Sequence, residues 1–452
     1  MPNPFGTPMT RAWLTELEES SNFWNASDQL QLIAHIAAKE SVSPWGLLAQ
    51  IQRNHTALNS PEHRAPTMAM SGYVGMIDDG DNSARTIAVV AGDLCDVYSS
   101  GRGEDADAII DSIAYSDDTD DDGYRLPRTV VHFLNHTAVF DGVGLPRLNH
   151  RDVTTLEMLW NGEDVHGVGR RREVTLPAGA YRVHGTWRLT PTTVAPMWKL
   201  LNSELPHLVL WAPSTEHRVG DNAPVRAKPR VGTTFPLPVW AKTGNNPYGV
   251  MGGALPSTYT PGDVLPEPVL VEITEPIREW LANRRDDLDV MLDNEPCCVP
   301  DSNVVTAHVA TTRLVWKQSV AMAWMHGRCE PNKNDLDLAL TQVKVSRATA
   351  AGAWEAVNGS DSQTAETVWK KLSFSPMSRA EITAWFDGDA DTLDATLKLL
   401  GRENRASQDA AGFWWARRGN ELVPAELAGF FKYPPSVSTA KYPENEQREG
   451  MS

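Results

Sequence analysis

Residues 71–100 read SGYVGMI, DDGDNSA and RTIAVVAGDLCDVYSS in succession: a strand-like apolar run, a polar turn containing Gly80, and a helix-patterned segment. This strand, glycine turn and helix form the local unit of an α/β protein. The same alternation recurs downstream. TVVHFL (129–134) reads as a second strand and DVTTLEMLWNGE (152–163) as a helix. REVTLPAGAYRVHGTWRL (172–189) supplies one or two further strands and LPHLVLWAP (205–213) another. The fold expected from these pieces is α/β.

Upstream, apolar residues between Asp28 and His55 recur at helical spacing, broken at Ser43-Pro44. Two helices are predicted, Ser43 capping the second and Pro44 standing in its first turn, where the missing N–H costs nothing. Residues 214–266 are rich in Pro, Gly and Asn and read as a long irregular connection. From Pro268 onward the texture is helical. After NGSDSQ (358–363) comes helix, helix, turn, helix and an aromatic strand-like end, a winged-helix pattern. The expected domains are an N-terminal helical segment (1–60), an α/β core (61–266), a helical region (267–358), a winged-helix-like domain (359–432) and a flexible tail (433–452).

Charge narrows the function classes. With 41 Lys+Arg against 58 Asp+Glu the net charge is −17, which argues against a protein whose affinity rests on neutralising phosphates. Nine acids and no Lys or Arg lie between Glu104 and Asp122, read as a solvated loop with a short helix near Asp107–Ala114; an EF-hand's spaced ligands and closing Glu are missing. Four cysteines without a CxxC pair, no apolar N-terminal leader and no membrane-length apolar run make a reduced, cytoplasmic chain the expectation. His132 and His136 stand four residues apart on a predicted strand, ~13 Å, too far to share a metal.

The segments SPWGLLAQI (43–51), LEMLWNGEDVHGVGRR (156–171), LPHLVLWAP (205–213) and AHVATTRLVWKQSVAMAWMHGRCEPNKNDLDLAL (307–340) are colinear with, and resemble, a family of phage, plasmid and actinobacterial replication proteins. That resemblance, over roughly 20–430, implies a RecA-like ATPase core of the replicative-helicase type, a helical region and a C-terminal winged helix. For a phage-encoded member the compartment is the host cytoplasm.

The resemblance places the phosphate loop at the turn after SGYVGMI. Such a loop needs glycines, a Lys and a Ser or Thr. This turn offers Asp78, Asp79, Gly80, Asp81, Asn82, Ser83, Ala84 and Arg85. Ser83 stands in the Lys position and Ala84 in that of the metal-binding hydroxyl. Three aspartates face the triphosphate position, each like-charge contact at 4 Å costing ~4 kcal/mol at an effective dielectric of 20. Arg85 is the nearest substitute cation. Where the family's next strand ends in an acidic pair, TVVHFL ends in Asn135 and His136; Asp141, five residues on, is a displaced acid or a turn residue before Gly142. The family's finger arginine is replaced by Leu208 after His207, whereas Arg313 matches an arginine of its helical region.

The expected function is therefore a non-catalytic RecA-like replication protein, a pseudo-ATPase acting as an assembly or loading partner of a helicase assembly or of its own copies, with no cofactor. One alternative is an active NTPase or DNA helicase that binds ATP and Mg²⁺, with Arg85 and Arg313 as compensating cations. Another is a winged-helix DNA-binding regulator, with Lys370, Lys371, Arg417 and Arg418 as local DNA contacts and Trp414 and Trp415 as a stacking platform. Eight Lys+Arg against ten Asp+Glu over 361–421 give that module a net charge of −2, which favours a protein partner.

Overall fold

The computed structural model describes residues 3–59, 63–64, 69–78, 82–97, 99, 105–119, 125–145, 148–168, 173–191, 193–200, 202–215, 230, 232–238, 255, 257–260, 263, 265, 269–293, 302–358, 360–386, 390–402, 405–409, 411–418 and 421–423. The chain falls into two compact units, Met1–Trp354 and Glu355–Ser452.

The first unit opens with three helices: α1 (Arg11–Ser21), α2 (Asp28–Glu40) and α3 (Pro44–Ala57). Each begins at a side-chain cap, Thr10, Ser27 and Ser43 accepting from the backbone N–H of Trp13, Leu30 and Gly46. The short strand β1 (His63–Arg64) comes next, and β2 (Gly72–Ile77) leads to α4 (Ser83–Cys95). Helix α5 (Ala106–Ile113), capped by Asp105, runs directly into β3 (Ala114–Thr119); β4 (Arg125–Phe133), β5 (Thr137–Val143) and α6 (His150–Asn161) follow. An antiparallel pair, β6 (Val165–Val168) and β7 (Glu173–Leu176), precedes β8 (Arg182–Leu189), the one-turn α7 (Leu205–Leu208) and β9 (Val209–Pro213). Two short strands, β10 (Thr258–Tyr259) and β11 (Val269–Leu270), end the α/β portion, and α8 (Glu275–Asp293), α9 (Ser302–Met325) and α10 (Lys333–Asn358) complete the unit.

The sheet that organises this unit is wholly parallel, in the order β5-β8-β2-β9. β8 and β9 are buried almost throughout, as strands covered on both faces are, although β8 carries Arg182, His184, Thr186 and Arg188 among its apolar positions. Two cross-strand pairs use glycine so that an aromatic ring lies flat on the neighbouring strand. A Cβ at Gly75 would meet the Trp211 ring at 2.4 Å, and one at Gly185 the Phe140 ring at 2.1 Å. Helix α3 touches all four strands and also α2, α4 and α9. From Pro44 to Thr56 every residue is buried, including Gln50, Gln52, Arg53, Asn54 and His55.

Two expectations change here. The N-terminal helical segment (1–60), the core (61–266) and the helical region (267–358) do not stand apart: α3 is the central helix of the α/β layer, and 1–354 is one compact body. TVVHFL is not a strand of the parallel sheet. It lies in β4, which pairs antiparallel with β3 and β10, and the parallel strand is the next run, TAVFDGV. The acidic stretch 104–122 contains the expected short helix, α5, but residues 114–119, expected as loop, form strand β3. The connection 214–266 lies largely, and the tail 433–452 wholly, outside the described residues.

The second unit contains α11 (Ser360–Phe374), β12 (Met377–Ser378), α12 (Arg379–Trp385), α13 (Ala390–Arg402), β13 (Ala406–Gln408), β14 (Phe413–Arg418) and β15 (Glu421–Val423). Antiparallel β14 pairs with β12, β13 and β15. Ser378 and Glu381 close a capping box on α12. The core is Val368, Leu372, Ile382, Leu393, Leu397 and Leu400 packed on Ala406 and Ala416.

Candidate functional site

The chain passes from β2 to β5, back to β8 and then across β2 to β9, and at such a reversal an open α/β sheet binds ligands in the crevice outside the carboxyl ends of its strands. On its floor the Asp78 N–H donates to Leu189 O at 2.7 Å and the Ser214 N–H to Ile77 O at 2.9 Å. Asn82 enters α4 with φ 67°, in the left-handed region, and makes no side-chain cap. Ser83 and Ala84 are buried and Arg85 is exposed. Asp79, Gly80 and Asp81 lie outside the described residues. Helix α3 presses on the same edge: a Cβ at Gly46 would lie 2.5 Å from Pro213 O and 2.9 Å from Ile87 Cδ1.

On the same sheet Asp141 of β5 lies opposite Thr186 of β8, level with Val74 of β2 and three residues inside the end of that strand. Its carboxylate is engaged by Arg53 of α3, Nη2 donating to Oδ1 at 2.5 Å, with side-chain exposures of 3% for Arg53 and 23% for Asp141. Arg53 Nε donates to Thr186 Oγ1 at 3.2 Å, and that hydroxyl donates to Gln50 Oε1 at 2.8 Å. The Asp141 N–H donates to Ser99 Oγ. Burial lowers the Arg53 pKa and the Asp141 carboxylate works against that shift. Beside it, burial pushes the Cys95 thiol up to about 12. A metal ion on Asp141 would have to displace Arg53 and strand a buried guanidinium, a cost of ~3–5 kcal/mol.

The other residues singled out from sequence are dispersed. Asn135 and His136 sit at the opposite, amino end of β5, where the Asn135 N–H donates to Ile113 O and His136 Nδ1 lies 2.7 Å from Ala180 O. Burial lowers the His136 pKa. They are turn residues between two different sheets. The Arg313 guanidinium pairs with Glu204 at 2.8 Å. His207 is buried with its ring 5.2 Å from Phe5, and desolvation brings it down to about 4. No group of three metal-ligating side chains occurs among the described residues. Among the described residues, the carboxylate of Asp141 is thus paired with Arg53 and that of Glu204 with Arg313.

In the second unit, Lys370 is exposed and Lys371 lies over the Trp385 ring at 5.5 Å. Trp415 is no stacking platform. It is fully buried with Nε1 donating to Asp409 Oδ2 at 3.1 Å, and Trp414 packs against the core. The Arg417 carbonyl accepts from Trp369 Nε1 and its side chain is half-buried, while the Arg418 side chain lies outside the described residues.

Arg53, Gln50 and Thr186 were not legible as site residues. The available signal was the run Gln50, Gln52, Arg53, Asn54 inside a helix that begins PWGLLA, too many polar residues on too many faces for one solvated stripe. A scan against models of known protein families gives no match, and no curated protein matches the chain.

Proposed function

We propose that this chain is a RecA-like protein of the replication type that has no ATPase activity and serves as an assembly or loading partner within a helicase assembly. The observation that carries the reading is the Arg53–Asp141 pair, which commits the carboxylate of β5 to an internal cation. It acts together with a turn that has no lysine between Asp78 and Arg85. The parallel sheet and its switch-point crevice are the features a nucleotide-binding ancestor would leave behind. The second unit fits a winged helix: three helices, a β-hairpin and a first short strand that adds to it. With Trp415 taken into its core and a net charge of −2 over 361–421, this module suits a protein partner better than a DNA duplex.

The test is titration of the full chain with ATP, with and without Mg²⁺, by calorimetry, alongside phosphate release. No heat of binding and no release above buffer are expected. Magnesium-dependent turnover would refute the proposal in favour of an active NTPase. Salt-dependent duplex binding lost in the double variant Arg417→Ala, Arg418→Ala would move the function to a DNA-binding regulator.

A further inference from the structure

Three helix ends meet beyond the last turn of α9. That helix stops where Gly327, at φ 75°, lets the Arg328 N–H return to Ala323 O, which sets His326 just past the last helical residue. Asn332 then caps α10: its Oδ1 accepts the Asp335 N–H at 3.1 Å, and its own N–H donates to Asp335 Oδ2 at 2.8 Å. The third end is that of α2, whose N-cap is Ser27.

His326 stands between the other two residues. Its Nε2 lies 2.9 Å from Ser27 Oγ and its Nδ1 3.6 Å from Asp335 Oδ1. Asp335 is fully buried, and Arg328 donates to each of its oxygens at 2.6 Å; the Asn332 N–H fills Oδ2, so Oδ1 keeps one site toward the imidazole. His326 Nδ1 is buried and has no hydrogen-bond partner of ordinary length. Its protonation follows: a lone pair on Nδ1 would face a carboxylate, whereas an N–H there faces an acceptor. Nε2 is then an acceptor, and the Ser27 hydroxyl donates to it while Oγ accepts the Leu30 N–H at 3.2 Å. Hydroxyl, imidazole and carboxylate thus stand in the order and protonation of an activated serine. Catalytic hydrogen bonds are often as long as the one to Asp335 before substrate binds. Ser27 is half-buried between exposed Ala26 and Asp28, so the constellation reaches the surface of the unit.

We propose that Ser27 and His326 are the catalytic residues, and Asp335 the positioning residue, of a site that hydrolyses neutral carboxylic esters. Ser27 Oγ bonds to the acyl carbon as its proton passes to His326 Nε2, and that proton leaves with the alcohol when the ester bond breaks. A water, losing a proton to the same nitrogen, then attacks the acyl carbon; the carboxylic acid departs and Ser27 recovers its proton. The N–H groups of Asp28 and Gln29 have no carbonyl within their own helix to bond and are the donors for the oxyanion. Asp335 keeps the imidazole proton on Nδ1. The exposed Asp28 carboxylate beside the nucleophile disfavours anionic substrates. The site shares no residue with the crevice of the parallel sheet and is independent of the function proposed above.

The full chain is treated with a fluorophosphonate and the adduct located by peptide mass spectrometry, while hydrolysis of p-nitrophenyl acetate is followed in parallel. An adduct on Ser27 and saturable hydrolysis are expected. Ser27→Asn keeps a capping oxygen but no nucleophile, so it should retain the thermal midpoint and lose both signals. Asp335→Asn should lower kcat about 100-fold at unchanged KM. If that variant does not fold, the labelling of the unaltered chain decides. No adduct on Ser27, hydrolysis retained by Ser27→Asn, or an unchanged kcat in folded Asp335→Asn would overturn the proposal.

Discussion

Replacing Arg53 by Met and Asp141 by Leu, singly and together, measures how firmly the Asp141 carboxylate is occupied. The two partners differ in exposure, 3% for Arg53 and 23% for Asp141, so the two single variants should differ in cost. Asp141→Leu leaves a guanidinium buried with Thr186 Oγ1 as its remaining polar contact at this end, and ~3–5 kcal/mol is expected for a buried pair broken from that side. Arg53→Met leaves a carboxylate that water reaches in part; that hydration and the loss of the Thr186 hydrogen bond together give ~2–3 kcal/mol. The double variant replaces a polar pair by an apolar one of similar volume and should cost less than Asp141→Leu alone, giving a coupling energy of ~2–3 kcal/mol. Urea unfolding followed by far-ultraviolet circular dichroism supplies the four midpoints, compared at unchanged m-value. Additive effects, or an Asp141→Leu variant as stable as the parent chain, would show that Asp141 is free to hydrate and hence to take a metal. The occupied-acid argument would then fail.

Three further outcomes follow from other parts of the first unit. Burial works to raise the Asp335 carboxyl, but the nearby His326, the hydrogen bonds from Arg328 to both oxygens and that from the Asn332 backbone outweigh it and hold it below the usual range. Its stabilisation is complete above pH ~4 and is lost as pH falls through the depressed folded value, so Asp335→Asn should flatten the acid limb of a pH-stability curve below pH ~4. His207 works in a different window: with a folded value of about 4 against the ordinary 6.5, its contribution is intact above pH 6.5 and declines as pH falls toward 4. Urea midpoints at pH 7.5 and 4.5 should therefore converge in His207→Leu, removing ~2–3 kcal/mol of pH dependence. Gly185→Ala, whose added methyl meets the Phe140 ring, should cost ~1–3 kcal/mol, with recovery on adding Phe140→Leu, measured by thermal unfolding.

Local signals were strong where the physics is local. Ser43 caps α3 and Pro44 occupies its first turn, as the sequence predicts, because a cap is a contact between neighbours in the chain. Strand partnership is different. TVVHFL and TAVFDGV are adjacent apolar runs of equal β character, and which one enters the parallel sheet depends on β8, some forty residues later. Counted from the first run, the acidic-pair position falls on Asn135 and His136, which carry no carboxylate, and Asp141 stands five residues on, inside the second run. The Trp414-Trp415-Ala416-Arg417-Arg418 run has the composition of a stacking surface, but the strand period of two points Trp415 inward to Asp409.

Helix α3 shows why composition alone misleads at a buried site. A helix with Gln50, Gln52, Arg53, Asn54 and His55 in close order reads as half-solvated, yet a helix that touches four strands and three other helices has no wet face. Its polar groups therefore need internal partners. Arg53 finds Asp141 and Thr186, Gln52 finds Gln342, and His55 Nε2 lies 3.1 Å from Pro236 O. Each of these bonds fixes α3 to a different element. The cation that takes Asp141 out of reach of a metal is thus the same one that positions the central helix. Binding a metal at Asp141 would require dismantling the core's polar network, and under the function proposed above a lysine introduced in the 78–85 turn would not by itself confer ATP turnover, since Asp141 would still be paired.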